Sequence, residues 1–181
     1  MGVSFLFGWT ANSQVVLEKE VKITDLGLHF NGSSKSDDTN APDNGNTDSY
    51  DFVFGRNISA HGDAIKTYKH YVFMTWYRGG KTDRHVMLTR YNTITGTMAT
   101  IEFPHRHTGF QNRWWLGESH NTIAIGVSPL DGTIHLLYDM HAYSSTKPSD
   151  GSLANDYFRY SYSVKDAASL PDVDFTLDKF V

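Results

Sequence analysis

Apolar and polar residues alternate along most of the second two thirds of the chain, in short stretches separated by turn residues. Alternation with a period of two is typical of β-strands that bury one face. Two sets of four such stretches are present, and they predict an all-β protein. The predicted strands are 61–67, 71–77, 85–91 and 97–103, then 121–127, 133–140, 157–164 and 175–181.

The first two strands of the second set form the best-defined hairpin. Ser128-Pro-Leu-Asp-Gly132 supplies the turn, because proline fixes φ and Asp-Gly accepts the backbone angles of a reversal. If Val127 faces Ile134, the same register carried to the open end places His120 opposite His141. Directly opposed residues have Cβ atoms about 5 Å apart. Two imidazoles are therefore predicted to meet there, where they can exchange protons near neutral pH.

The two sets of strands repeat, with His61 and His120 as equivalent starting points 59 residues apart. Four-stranded antiparallel units that recur roughly every 40–60 residues are typical of β-propeller blades. We predict blades over 61–103 and 120–181, within a partial propeller domain over 14–181. A two-sheet sandwich is the alternative architecture.

The number of blades bears on the length of the protein. Each blade of a propeller packs its faces against its neighbours, so two or three blades leave apolar faces uncovered. The chain is therefore expected to be the N-terminal portion of a longer protein, or to need a partner chain. Either the remaining blades or that partner would close the ring.

The residues before the first blade are less regular. Residues 1–13 resemble the end of a signal peptide with a small-residue cleavage site, although a basic start is missing. Alternation in 14–30 predicts strands at Val15–Leu17 and Val21–Ile23. Residues 31–49 are almost entirely polar and predict a surface loop. Their spacing does not match a calcium-binding EF-hand loop. A secreted or periplasmic protein is expected.

Composition excludes several classes of function. The chain has 181 residues, a formal net charge of −4 and no cysteine. Its length suits one domain with a core, and its charge gives no support to nucleic-acid binding. Disulfides and thiolate chemistry are excluded. No apolar run approaches the roughly 20 residues of a membrane span, so no membrane association is predicted.

Polar residues collect at the strand ends where the two imidazoles are predicted to meet. His61, Tyr77, Arg78 and Asn121 occupy equivalent positions at this end of the two units. Arginine can pair with a carboxylate, and tyrosine can donate a proton. We therefore predict His120 and His141 as catalytic residues, the four others as substrate-binding residues, and an acidic polysaccharide as the ligand.

The segment between the two units carries further candidates. His105 and His107 would share one face of an extended segment, as zinc ligands do, but no third ligand accompanies them. A loop lining the substrate groove is the interpretation we prefer. Arg113 and Trp115 are predicted to bind substrate by charge and ring stacking, with packing between blades as the alternative for the tryptophan. Glu118 is a candidate for orienting an imidazole.

These residues together carry a family resemblance. The segment from His120 to His141, with its His-Asn, Asp-Gly and Tyr-x-x-His elements, resembles the signature of BNR-4-type propellers. The stretch from Trp76-Tyr-Arg-Gly-Gly to Phe103-Pro-His-Arg-His, with Arg113-Trp-Trp, is similar to ulvan lyases of polysaccharide lyase family 24. The resemblance covers residues 51–181.

The resemblance implies a seven-bladed propeller, of which two to three blades are present here. It implies cleavage of ulvan, a sulfated algal polymer, by β-elimination beside a uronic acid, with His120 and His141 as the active-site histidines. A carboxylate-neutralising arginine and a catalytic tyrosine are expected beyond Val181. No cofactor is predicted, and ligands for the structural metal of the family are not identified in this sequence.

Two other functions remain open at this point. The chain could belong to a carbohydrate-binding propeller without catalysis, in which the histidines only hydrogen-bond sugar. A sialidase-like glycoside hydrolase would need paired carboxylates or a tyrosine nucleophile. Only Glu118 and Asp139 lie near the predicted site, so the hydrolase is the weaker alternative.

Overall fold

The structure is a computed structural model that describes eight stretches of the chain. These are residues 19–27, 29–30, 49–52, 63–78, 85–106, 116–117, 122–139 and 158–181. The strands in them are β1 (His29–Phe30), β2 (Ser49–Phe52), β3 (Ile65–Tyr68), β4 (Tyr71–Tyr77), β5 (His85–Asn92), β6 (Met98–Arg106), β7 (Leu116–Gly117), β8 (Ile123–Val127), β9 (Ile134–Asp139) and β10 (Phe158–Tyr162).

Secondary structure in the described stretches is β, as predicted. The helical elements there are three single turns of 3-10 helix, Ala167–Ser169, Asp172–Asp174 and Leu177–Lys179. None of the helices in these stretches has the length and apolar character needed to cross a bilayer.

The strands form two large antiparallel sheets and one small parallel sheet. β3, β4, β5 and β6 pair in that order, so the four-stranded first unit is present. β8, β9 and β10 form the second large sheet, again in chain order. β1, β2 and β7 pair in parallel and form the small sheet. β2 begins at Ser49, the last residue of the predicted surface loop, whose other residues lie outside the described stretches.

Alternation along β4 determines how the first sheet packs. Tyr71, Phe73, Thr75 and Tyr77 are buried, and the residues between them are half-buried. The buried face lies against the second sheet, where Ile134 and Leu136 of β9 are fully buried. The core therefore lies between the two large sheets.

The predicted hairpin register is confirmed over the whole length of β8. Val127 pairs with Ile134, and the ladder continues to Ile123 opposite Tyr138. The turn is closed by a hydrogen bond of 2.8 Å from the Ser128 amide to the Thr133 carbonyl. Gly132 has a φ of +66°, the left-handed region in which a side chain is strained.

The predicted strand at Val21–Ile23 is wrong. Residues 19–26 pair with no strand of the described chain, and only Gly27 forms an isolated bridge, with Arg78 just past β4. Lys19 lies on the ring of Tyr91 in β5, with Nζ 5.2 Å from the ring centre. Both edges of β4 and of β5 are already paired, so a segment that lies across their outer face finds no free hydrogen-bonding edge.

The predicted strand over 175–181 is also wrong. The chain coils here into the last of the 3-10 turns, Leu177–Lys179, and only Phe180 bridges to Ser163 beside β10. Phe175 packs on Phe73, and Phe180 packs on Phe103, with ring centres 6.3 Å and 5.2 Å apart. An extended strand would turn residues five positions apart to opposite faces. Burying both rings on one side therefore requires a coiled backbone.

Candidate active site

One end of the two large sheets gathers the strand termini that the sequence pointed to. β4 and β6 end here, and β5 and β8 begin here. Thr75 Oγ1 donates a hydrogen bond of 3.1 Å to the Ile123 carbonyl, which places the two sheets side by side there. We refer to it as the candidate end of the molecule.

His120 and His141, the predicted catalytic residues, lie outside the described residues. β8 begins at Ile123 and β9 ends at Asp139, so each histidine is within three residues of a strand terminus at the candidate end. The observed register, carried past Ile123 and Tyr138, pairs His120 with His141. Their facing arrangement stays a prediction.

Tyr77 and Arg78 both lie at the candidate end, but their side chains point to opposite faces of the first sheet. Tyr77 is 8% exposed and belongs to the core between the two sheets. Arg78 lies on the outer face, where Nη1 is 2.9 Å from Oε2 of Glu102. The tyrosine is therefore positioned toward the second sheet, and the arginine is held by a partly exposed carboxylate.

His85 is part of a hydrogen-bonded chain that the sequence did not reveal. Its Nδ1 lies 2.7 Å from the Phe103 carbonyl, and Arg106 Nε donates to its Nε2 at 2.7 Å. A guanidinium can only donate, so Nε2 accepts and Nδ1 carries the proton. Nδ1 is also 3.4 Å from Glu102, the partner of Arg78. Two arginines, Arg78 and Arg106, are thus held in one network around His85.

A second polar group lies inside the interface between the sheets, at the same end. The rings of His105 in β6 and Tyr138 in β9 have centres 5.6 Å apart. Arg159 of β10 pairs with Tyr138 in the ladder. Burial lowers the pKa of His105, and the positive charge of Arg159 lowers it further. His105 is therefore uncharged at neutral pH.

Tyr138 is the most deeply buried member of this group. It is fully buried, and burial raises the pKa of its phenol. The hydroxyl of Ser161 is close enough to favour the ionised phenol slightly, but no hydrogen bond of good geometry forms to Oη within the described residues. The phenol is therefore neutral, and the ring packs in the interface rather than acting as an acid or a base.

The remaining predicted site residues fall outside the described stretches. They are His61, His107, Arg113, Trp115, Glu118 and Asn121. The zinc interpretation of His105 and His107 is therefore not examined by the structure. Within the described stretches, no three histidine or carboxylate side chains cluster in a way that could hold a metal ion.

Sequence reasoning named His105 as a groove residue but missed its neighbours Tyr138 and Arg159. A signal was available, because the predicted register places Tyr138 on the core face of β9, three residues before His141. What the sequence did not contain was the packing of the sheets. That packing alone brings β6 and β9 together.

Comparison with known proteins extends this description. Residues 71–154 match the model of the BNR repeat-containing family. The chain is 59% identical over 179 residues to the long isoform of ulvan lyase from Pseudoalteromonas sp. (strain PLSV), an alignment that covers 98% of this chain and 18% of that protein. Its identity to the long isoform of ulvan lyase from Glaciecola sp. (strain KUL10) is 63% over 177 residues, covering 94% of this chain and 17% of that protein.

A solved structure agrees with these relatives. The crystal structure of polysaccharide lyase Uly1 superposes with a TM-score of 0.70 at 54% identity, covering 91% of this chain and 35% of that one. The chain is thus similar to BNR repeat-containing proteins and to a polysaccharide lyase of known structure. Over nearly its whole length it is similar to part of the ulvan lyases, which confirms the resemblance inferred from the sequence. The chain spans about a third or less of the length of these relatives.

Proposed function

We propose that the protein carrying this chain is a polysaccharide lyase that cleaves ulvan by β-elimination at a uronic acid residue. The observation that carries the proposal is the identity of 59% and 63% to ulvan lyases across nearly the whole chain. The candidate end, with its predicted histidine pair, is where we place the reaction.

The proposed fold is a seven-bladed propeller in which the two large sheets are neighbouring blades. Their face-to-face packing around one apolar core supports this arrangement, and so does the likeness to Uly1. The amide of Ile125 in β8 donates a hydrogen bond of 3.0 Å to the Asp63 carbonyl beside β3, so the first strands of the two sheets are neighbours. In the longer protein, further blades would cover the faces of these sheets that are exposed here.

The proposed reaction needs two proton transfers. A base removes the C5 proton of the uronate, the electron pair forms the C4–C5 double bond, and the C4–O4 bond breaks. The departing O4 takes a proton from an acid. We assign these roles to His120 and His141, because imidazole can act as either acid or base near neutral pH. A carboxylate-neutralising arginine and a catalytic tyrosine are proposed to come from later blades.

Arg78 is proposed to bind an acidic group of the polysaccharide. Glu102 holds its guanidinium at the candidate end and leaves it partly exposed. His61, Tyr77, Arg113, Trp115 and Asn121 are proposed as further substrate contacts. Asn121 adjoins His120 in the chain, and Tyr77 is buried in the core between the two sheets. We also propose a secreted or periplasmic location, where a polymer of this size is accessible.

The test is the ultraviolet absorbance of the unsaturated uronate, measured after ulvan is added to the full-length protein that carries this chain. A lyase produces this chromophore, whereas a hydrolase or a binding protein does not. His120→Ala and His141→Ala should each abolish the rise in absorbance and leave the melting temperature nearly unchanged. Binding of ulvan without any rise in the wild-type protein would support the carbohydrate-binding alternative instead.

A further inference from the structure

His105, next to the last residue of β6, is a histidine that the core between the two large sheets encloses only in part. His105 is half-buried, and its Nδ1 is buried without a hydrogen-bond partner among the described residues. The ring it packs against, Tyr138, is fully buried, and its own Oη forms no hydrogen bond of good geometry in the same part of the chain. Buried polar atoms without partners are uncommon, and they call for an explanation.

The position of His105 is fixed by its surroundings. Tyr138 also packs against Phe103, two residues before His105 on β6, with ring centres 5.9 Å apart. Phe103 is 2% exposed and contacts Phe180 as well. Both rings that flank His105 are thus held by the core. A group fixed in this way loses little conformational freedom when a ligand binds.

We propose that His105 binds the polysaccharide at the candidate end through Nε2, which hydrogen-bonds to a sugar hydroxyl, since the buried Nδ1 is out of reach of a ligand. The identity of the polysaccharide rests on the proposed function. The position of the contact follows from the topology, because His105 is the penultimate residue of β6 and lies beside the end of β9 that leads to His141. His105 is therefore a positioning residue, separate from the proton transfers.

The chemistry of His105 favours a hydroxyl over an anionic group. An uncharged imidazole offers one donor and one acceptor nitrogen, and a hydroxyl can both accept and donate. A sulfate or a carboxylate is bound more strongly by a guanidinium, such as that of Arg78. The lowered pKa of His105 is consistent with this division of roles.

The experiment is a calorimetric titration of soluble ulvan fragments into the full-length protein, in a His120→Ala background that prevents turnover. His105→Phe keeps a ring in the interface but removes the hydrogen bond, and His105→Gln restores a donor and an acceptor. We expect His105→Phe to weaken binding about tenfold, the effect of losing one hydrogen bond, and His105→Gln to recover much of it. His70→Ala is the matched control, because His70 lies at the opposite end of β4.

Salt separates this contact from an ionic one. The loss caused by His105→Phe should be the same at low and high ionic strength, whereas the loss caused by Arg78→Ala should shrink as salt is added. Unchanged affinity in His105→Phe would overturn the inference. A loss of affinity that disappears at high salt would also overturn it. So would a loss that His105→Gln does not restore, if the melting temperature of His105→Phe falls as well.

The outcome also distinguishes this inference from the proposed function. A wild-type protein that binds ulvan without releasing an unsaturated product would refute the lyase, while the affinities of the His105 variants would still decide the role of His105. Failure of the parent protein to bind ulvan would overturn both. A lyase whose His105 variants bind normally would leave only this inference wrong.

Discussion

Arg90 and Asp172 form an ion pair across the core, with Nη2 2.7 Å from Oδ1, although 82 residues separate them in the chain. The arginine side chain is fully buried, and the carboxylate is partly exposed. The guanidinium also lies between two aromatic rings, 4.5 Å from the centre of Tyr71 and 4.2 Å from that of Phe175. This single side chain therefore joins the first sheet to the coiled segment after β10.

Replacing Arg90 should destabilise the protein strongly. Arg90→Met removes the charge and the planar group that stacks between the rings, and we expect a loss of about 3 kcal/mol in the free energy of unfolding. Arg90→Lys should recover only part of this, because an ammonium does not stack in the same way. Chemical unfolding of the full-length protein and of both variants measures the effect. Equal stability of Arg90→Met and wild type would contradict the assignment.

The acid sensitivity of the protein should depend in part on Asp172. Hydrogen bonds from the Thr97 hydroxyl and from Arg90 hold the pKa of Asp172 below its usual value of 3.8. The folded protein thus binds this proton less tightly than the unfolded chain does. The resulting stability is complete above the unfolded pKa and is lost as the pH falls through the lower, folded pKa.

Asp172→Asn isolates this effect. We expect it to cost about 1 kcal/mol at neutral pH, a modest value because the carboxylate is partly exposed. The difference in melting temperature between wild type and Asp172→Asn should then shrink as the pH is lowered below the ordinary carboxyl pKa. A difference that stays constant down to strongly acidic pH would show that Asp172 contributes no titrating stability. Asp174→Asn, a change at an exposed carboxylate in the same segment, is the control for altered net charge.

Three glycines provide a graded test of backbone strain. At Gly132, with a φ of +66°, an added Cβ would lie 3.2 Å from the Tyr68 hydroxyl and 3.4 Å from the Asp166 Cα. Gly96 has a φ of +76° but open space around it, and Gly126 has open space without a positive φ.

Substitution by alanine should therefore lower stability most at Gly132, by about 1 kcal/mol at Gly96, and little at Gly126. Melting temperatures of the three variants test this order. A Gly126→Ala protein less stable than Gly132→Ala would contradict it.

Tyr138→Phe should leave the stability of the protein unchanged or raise it. The substitution removes a buried hydroxyl that has no hydrogen bond of good geometry within the described residues, so the desolvation cost of about 1 kcal/mol disappears with it. Tyr138→Ala removes the ring itself and should cost about 3–5 kcal/mol. Unfolding curves of the two variants separate the hydroxyl from the ring. A Tyr138→Phe protein that is clearly destabilised would show that Oη has a partner after all.

The parts of the fold that could be predicted depend on neighbours in the sequence. β4 has the predicted bounds, and the register of β8 with β9 follows from the turn at Gly132. A short turn fixes the pairing of its two strands, so the sequence contains all the information needed. The location of Tyr77 and Arg78 at the candidate end followed in the same way.

The parts that could not be predicted depend on contacts between distant segments. Phe175 and Phe180 follow an alternating pattern, yet the rings they must reach belong to β4 and β6, and the backbone coils to reach them. The hydrogen bond between His85 and Arg106 depends on a β-bulge in the β5–β6 ladder, which brings these two residues opposite each other and which alternation does not reveal.

By itself, the sequence determined the bounds of β4 and the hairpin register, because alternation and turn chemistry act over a few residues, and its motifs determined the family that the chain resembles. Tertiary structure alone decided that Arg90 is buried, that His105 meets Tyr138, and that Tyr77 packs in the core whereas Arg78 pairs with Glu102. The physical reason is that burial depends on which sheet lies opposite. A strand specifies which residues share a face, but only the packed partner determines what that face touches.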